Sequence, residues 1–224
     1  MTLPEPTAIV AIGVVIFLAI GIHEYCHAKF ADLAGDPTPR YYGRVTLNLT
    51  KHFEFLGTLM IIFTSLTGVG IGWGKPVPMD PSKMKNPKWD HFVAVAAGPF
   101  SNFAQAVLWG ILFRLLYGGS EPGAIGEAMT GSLGFMPALL VYGVIINLSL
   151  CFFNLFPMGP LDGMWIVSTF LRDPARLSWI RFNLGFGSML LLFLVLAGQL
   201  SGVSVLRAFI GPPLMFFARF FFGI

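Results

Sequence analysis

The sequence predicts an all-α polytopic membrane protein with five to six transmembrane helices and a short membrane-associated β-hairpin in a re-entrant region. Of its 224 residues, 55% are hydrophobic and only 11% are charged, whereas roughly 25% of the residues of a soluble domain are charged. The mean hydropathy is +0.75. Too few polar side chains remain to cover a water-facing surface, so we expect the lipid bilayer to surround the protein. Because the net charge is only +3, we expect no nucleic-acid partner.

Five apolar windows are long enough for a helix to cross a bilayer, which takes about 20 residues. We expect a single domain over residues 1–224, with a core at 8–165 and accessory C-terminal helices at 179–222. The five windows are residues 8–30, 91–117, 136–156, 179–199 and 204–222.

A sixth apolar run, residues 55–73, is shorter and is interrupted by four glycines. Four basic residues precede this run and four follow it, so a full crossing would divide the positive charge equally between the two membrane faces. A re-entrant run instead puts residues 31–90 on one face, which the positive-inside rule assigns to the cytoplasm. We therefore favour five spans, an outside N-terminus and a cytoplasmic re-entrant region over six full spans. The expected location is the cell (cytoplasmic) membrane.

Polar and apolar residues alternate strictly in segment 44–50, a pattern that predicts a β-strand. We place this strand in a short membrane-associated hairpin. It is either an amphipathic strand that shields the loop at the membrane surface, or an exposed edge around Thr46, Leu47 and Asn48 that pairs with an extended peptide. Just after it, His52 lies in a predicted loop, where we expect a solvated side chain.

Glu24 is the acidic residue that lies deep within a predicted span, and ionisable side chains at membrane depth are candidates for a functional site. It belongs to the sequence His23-Glu24-Tyr25-Cys26-His27, an H-E-x-x-H pattern. On a helix, residues four apart differ by about 40° in direction and about 6 Å in height, so both imidazoles can reach one metal ion. Glu24 then lies beside the open position of the metal as a base.

Two histidines leave a catalytic zinc one protein ligand short. Asp162 closely follows the predicted span 136–156, in a stretch whose prolines and glycines end the helix near the same membrane face as His27. Irregular backbone at this depth is tolerated where it packs in protein or lines a wet cavity. Asp162 is therefore a candidate third ligand, and Gly163 allows a close backbone approach. An ordinary Asp-Gly turn at a helix end is the alternative.

Four motifs follow one another along the chain: H-E-x-x-H at 23–27, G-W-G-K-P-V-P at 72–78, A-G-P-F-S-N at 97–102 and N-x-x-P-x-x-P-L-D-G at 154–163. In this order they resemble the site-2 proteases, a family of intramembrane zinc metalloproteases that cut transmembrane helices. The middle two motifs are typical of the compact prokaryotic members, which have no PDZ or CBS domain. The chain departs from the family at Met164, where a second glycine commonly follows the aspartate.

The resemblance implies that His23, His27 and Asp162 bind Zn²⁺ and that Glu24 activates the attacking water. It further implies hydrolysis of peptide bonds in transmembrane helices near the cytoplasmic face, as in regulated intramembrane proteolysis. The expected partners are single-span membrane protein substrates and an adaptor protein. The alternative is a non-proteolytic zinc-binding membrane protein that acts as a metal carrier or as a scaffold retaining its clients.

Five further residues are candidates for substrate binding. Asn102 and Asn154 either bind the substrate backbone or stabilise the oxyanion, or they pack helices together. A substrate helix must unwind locally before it is cut, and the predicted strand at Thr46, Leu47 and Asn48 is suited to hold it extended.

Overall fold

The computed structural model describes residues 5–57, 59–60, 74–118, 122–202 and 204–223. Within these residues all regular secondary structure is helical, and no β-strand is present. Two short 3₁₀ turns lie at Leu49–His52 and Pro81–Lys83. The helices are α1 (Pro6–Ala34), α2 (Thr38–Tyr41), α3 (Trp89–Tyr117), α4 (Pro122–Thr130), α5 (Phe135–Asn154), α6 (Asp162–Phe170), α7 (Ala175–Ser201) and α8 (Val205–Phe222).

Five helices of the described part of the chain, α1, α3, α5, α7 and α8, are long and apolar enough to cross a membrane. They coincide with the five windows that the sequence predicts as spans, so the prediction of an all-helical, multi-pass membrane protein is confirmed. Of the sixth apolar run, residues 55–57 and 59–60 are helical. The rest of that run lies outside the described residues, and its re-entry stays a prediction.

Helices α1, α3 and α5 pack against one another at the centre of the bundle. Glycines permit the close approach: a Cβ atom at Gly98 of α3 would lie 2.7 Å from His23 Cε1 on α1, and one at Gly143 of α5 would lie 2.7 Å from Trp109 Cδ2 on α3. Helix α8 closes one side of the bundle through an apolar cluster with α3 and α5. The cluster includes Phe113, Leu140, Leu148, Phe221 and Phe222.

Helix α7 lies at the edge of the bundle, because only 17% of its apolar window is buried, compared with 50% for α5. It contains a π-helical turn at Asn183–Gly187. In that turn, Asn183 Oδ1 accepts a hydrogen bond of 2.7 Å from the Gly159 N–H. This bond fastens α7 to the loop between α5 and α6.

The C-terminal end of α1 is tied to the polar connections on both sides of the sixth apolar run. Gly35 ends the helix with a left-handed backbone (φ 106°), which residues with a Cβ atom rarely adopt. The fully buried carboxylate of Asp36 then accepts hydrogen bonds from the N–H groups of Thr38 (2.9 Å) and Asp80 (2.7 Å). The two connections are therefore held together at one end of the bundle.

The predicted strand and hairpin at residues 44–50 are wrong, because these residues form bends that lead into the 3₁₀ turn Leu49–His52. Local bonds replace strand pairing: the Asn48 N–H donates to Thr46 Oγ1 (3.1 Å), and the Thr50 hydroxyl donates to Asn48 Oδ1 (2.6 Å). The first of these bonds takes up a backbone N–H, and such bonds compete with the hydrogen bonds of a β-sheet. The alternation of polar and apolar residues does not correspond to burial, since Arg44 is buried and Leu47 is exposed.

Arg44 and His52 are the buried polar centre of this loop, with exposed fractions of 3% and 0%. The expectation of a solvated His52 is therefore wrong. The Arg44 guanidinium donates to the carbonyl oxygens of Lys75 and Pro76 (2.8 Å to Pro76), and His52 Nε2 donates to the Thr46 carbonyl oxygen (3.0 Å). The bonds from Arg44 join the segment before the sixth run to the segment after it.

We expect Gly98→Ala to destabilise the protein by about 1–3 kcal/mol, because overpacking forces neighbours out of place and the new Cβ would overlap the His23 and His27 rings. Gly13→Ala on α1 is the control, since nothing lies within 4 Å of its Cβ position, and its stability should stay level or rise slightly. Thermal unfolding of both variants in detergent tests the expectation. Equal melting temperatures would contradict the close packing of α1 and α3.

His52 should make the stability depend on pH. Burial lowers its pKa, the hydrogen bond to the Thr46 carbonyl raises it, and the Arg44 guanidinium lowers it again, with a net decrease. The unfolded state, in which the pKa is about 6.5, therefore binds the proton first, and stability is lost as the pH falls through about 6.5.

His52→Gln, whose amide can replace the Nε2 donor, should lose less thermal stability than the wild type between about pH 8 and about pH 5.5. The measurement is the melting temperature of both proteins across this range. Equal losses in the two proteins would show that His52 does not take up the proton on unfolding.

Candidate metal centre

Three side chains from two separate helices converge at the centre of the bundle. His23 and His27 lie one turn apart on α1, and Asp162 is the first residue of α6. The two Nε2 atoms are 2.9 Å apart, and Asp162 Oδ2 is 3.3 Å from that of His23 and 3.4 Å from that of His27. Within the described residues, no other three His, Cys, Asp or Glu side chains form such a group.

The loop between α5 and α6 brings Asp162 to the two histidines. Leu161 has an extended backbone (φ −77°, ψ 160°), and α6 starts directly after it. A Cβ atom at Gly163 would overlap the carbonyl oxygens of Leu155 and Phe156. The first turn of α6 can therefore lie against the loop only with glycine here, which is the close approach that the sequence predicts.

Hydrogen bonds determine which ring nitrogen of each histidine faces the centre. His27 Nδ1 lies 2.9 Å from the Ala94 carbonyl oxygen, which can only accept, so Nδ1 is the donor. His23 Nδ1 lies 2.7 Å from Asn102 Oδ1. Because Asn102 Nδ2 donates to the Ala19 carbonyl oxygen (3.0 Å), the amide oxygen is the atom that faces His23. In their neutral forms both rings therefore present an Nε2 lone pair to the centre.

The donor set of the three residues fits a zinc ion. Two lone pairs and a carboxylate oxygen face one another at 2.9–3.4 Å, an arrangement that is unfavourable without a cation between them. Asp162 Oδ2 is buried and lacks a hydrogen-bond partner among the described residues. Ligand atoms of a tetrahedral zinc lie roughly 3.3 Å apart, and three protein ligands leave the fourth position to water or substrate.

Glu24 lies beside this group without belonging to it. Its Oε2 atom is 3.9 Å from Arg44 Nη2, and a Cβ atom at Gly74 would lie 3.1 Å from its Oε1 atom. The segment that begins at Gly74 therefore runs next to the carboxylate, held by the bonds from Arg44 to the carbonyls of Lys75 and Pro76. A carboxylate that is next to the ligands but is not one of them is suited to act as a general base.

The two predicted asparagines occupy different environments. Asn102 is fully enclosed, with an exposed fraction of 0%, and its side chain bonds to His23, a position that favours contact with a metal ligand over contact with a substrate. Asn154 is half-buried in the last turn of α5 and donates to the Leu150 carbonyl oxygen (3.0 Å). Substrate binding by either residue stays a prediction.

The irregular loop that starts at Arg44 contains the three other predicted substrate contacts, Thr46, Leu47 and Asn48. The Leu47 side chain is 72% exposed, so it is available to a partner. The strand that would have paired with a peptide is absent from these residues, and their contact with substrate stays a prediction.

Sequence reasoning missed two buried polar residues around the site, Arg44 and Asn147. The sequence predicts Arg44 only as a basic residue before the sixth run and as the start of the strand 44–50, whereas its contact with Glu24 follows from the tertiary fold. Asn147 is fully buried in α5, where it accepts a hydrogen bond from Asn102 Nδ2 (3.0 Å). A signal for Asn147 existed, because an amide within an apolar span needs a polar partner.

Comparisons with known proteins also point to zinc. The sequence model of peptidase family M50 matches residues 10–198, a range that contains all three converging residues and Glu24. A relative from Bacillus subtilis (strain 168), named "Putative zinc metalloprotease YwhC", is 29% identical over 188 residues, which are 83% of this chain and 81% of the relative. No solved structure matches the chain significantly. The family and the relative's name both imply Zn²⁺. Because the family match covers most of its length, this chain belongs to peptidase family M50.

Proposed function

We propose that this protein is a site-2-type zinc endopeptidase of the cell (cytoplasmic) membrane that hydrolyses peptide bonds in the transmembrane helices of single-span proteins. The observation that carries the proposal is the convergence of His23, His27 and Asp162 beside Glu24, inside a bundle of membrane-length helices. Three protein ligands and one separate carboxylate are what a zinc peptidase needs.

The residues of the site would share the work of hydrolysis. Zinc bound by His23, His27 and Asp162 would supply a Lewis acid that polarises the scissile carbonyl and acidifies water. Glu24 accepts a proton from the attacking water and then donates it to the departing amide nitrogen. The Asn102 side chain holds the His23 ring in place during these steps.

The proposed cut lies near the cytoplasmic face. Support comes from the basic residues in the connections at the C-terminal end of α1, the end at which His27 lies. There a substrate helix meets water, and its segment must unwind because helical carbonyls are bonded to amides four residues on. Asn154 and the exposed Leu47 are proposed contacts for that segment.

Cleavage on this side would release a cytoplasmic fragment, as in regulated intramembrane proteolysis. Substrates reach the site directly from the bilayer or through an adaptor protein. Helix α7, little buried and fastened to the α5–α6 loop by Asn183, is the proposed place for lateral entry.

Glu24→Gln should abolish cleavage while zinc stays bound, because the amide cannot accept the proton. A loss of roughly 10²–10⁴-fold in rate is expected for removal of a general base. The measurement is cleavage of a panel of single-span helices by the purified protein in lipid, with zinc content determined on the same samples. Glu127→Gln is the matched control, since Glu127 is exposed on α4, which bonds to the opposite end of α1.

Cleavage by the wild type and by Glu127→Gln, but not by Glu24→Gln, supports the proposal. Cleavage by Glu24→Gln at the wild-type rate would remove Glu24 from the reaction. Bound zinc with no cleavage of any helix by the wild type would contradict the peptidase and favour a zinc carrier or scaffold.

A further inference from the structure

We propose that Asn102 and Asn147 form a positioning pair that holds the His23 ring in the one orientation and tautomer that can bind a metal. The inference deepens the proposed function, on which it rests, because it concerns the same metal centre. It assigns a role to Asn147, a residue outside all four sequence motifs.

The pair links three central helices through fully buried side chains. His23 lies on α1, Asn102 on α3 and Asn147 on α5, and both asparagines have an exposed fraction of 0%. His23 Nδ1 is 2.7 Å from Asn102 Oδ1, and Asn102 Nδ2 is 3.0 Å from Asn147 Oδ1. No water is needed to complete this chain of bonds.

Two backbone carbonyls set the direction of every bond in the chain. Asn147 Nδ2 donates to the Gly143 carbonyl oxygen (2.9 Å), so the Asn147 oxygen must face Asn102. Asn102 Nδ2 then donates both to that oxygen and to the Ala19 carbonyl oxygen (3.0 Å). The Asn102 oxygen is left for His23, whose Nδ1 must carry the hydrogen.

The second asparagine matters because a side-chain amide can turn over. A flipped Asn102 would place its oxygen against two acceptors, Asn147 Oδ1 and the Ala19 carbonyl, and would offer hydrogens to His23 Nδ1. That arrangement favours a hydrogen on His23 Nε2, the atom that faces His27 and Asp162, and so blocks metal binding. Asn147 adds the second acceptor that makes the flip unfavourable.

His27 needs no such pair to fix its tautomer. Its Nδ1 faces the Ala94 backbone carbonyl, which cannot turn over and only accepts. His23 faces a side chain instead, so its tautomer depends on what holds that side chain. Removal of a residue that hydrogen-bonds to a metal ligand typically weakens metal binding 10–100-fold.

The experiment compares Asn102→Leu and Asn147→Leu in the full-length protein, in lipid nanodiscs. Leucine keeps the branched shape at Cγ and removes the hydrogen bonds. Tyr142→Phe is the matched control, because it removes one hydrogen bond from the same helix as Asn147, to the Met129 carbonyl (2.7 Å). Zinc affinity is measured by competition with a chelator, and thermal stability is measured on the same samples.

Zinc affinity should fall roughly 10–100-fold in Asn102→Leu and by a smaller factor in Asn147→Leu, and should be unchanged in Tyr142→Phe. If Asn102→Leu does not fold, Asn147→Leu alone carries the test. A purely structural role predicts that all three variants lose stability and bind zinc like the wild type, which would overturn the proposal.

A second readout does not require zinc. In the zinc-free protein, proton NMR should show a slowly exchanging His23 Nδ1–H signal in the wild type and in Tyr142→Phe. The signal should be lost in Asn102→Leu and exchange faster in Asn147→Leu. The chain has four histidines, so single substitutions can assign it.

The two readouts separate this inference from the proposed function. A wild type that binds no zinc but shows the His23 signal, with the expected changes in the variants, would contradict the peptidase and support the pair. A wild type that binds zinc but lacks the signal, or keeps it in both leucine variants, would contradict the pair alone.

Discussion

The structure depends on one unfavourable arrangement: two imidazole nitrogens and a carboxylate oxygen lie within 3.4 Å of one another at the centre of an apolar bundle. Each of these atoms has lost its hydration, which is costly at membrane depth. The far nitrogen of each ring is bonded to an acceptor, so the near nitrogens have only each other and Asp162 to face. A cation bound at this point would turn the arrangement from a cost into a stabilising contact between α1 and α6.

Small residues and loop bonds make this convergence possible. Gly98 lets α3 lie against the two imidazoles, and Gly163 lets the first turn of α6 lie against the preceding loop. The same loop is bonded through Gly159 to Asn183 on α7, the helix with the least buried window of the five. The Gly159–Asn183 bond thus ties the peripheral helix to the loop that leads to Asp162.

Local patterns could be predicted from the sequence, and contacts between distant segments only in part. The spans follow from apolar length, and the two histidines follow from helical spacing, which needs no tertiary information. The strand predicted at 44–50 is wrong because Thr46 Oγ1 accepts the Asn48 N–H locally, which alternation does not reveal. Arg44 and Asn147 were missed because each has partners that only packing brings near: carbonyls beyond the sixth run for Arg44, and an amide of α3 for Asn147.

The most direct test of this account is the zinc content and affinity of the purified protein, compared between the wild type, Asp162→Asn and Asp80→Asn. The last is a control, since Asp80 lies in an exposed connection, where its side chain bonds to Ser82 and Lys83. The account predicts about one tightly held zinc ion per chain in the wild type and in Asp80→Asn, and much weaker binding in Asp162→Asn. A wild type that stays free of zinc when zinc is supplied, or an Asp162→Asn variant that binds it equally well, would contradict the metal centre.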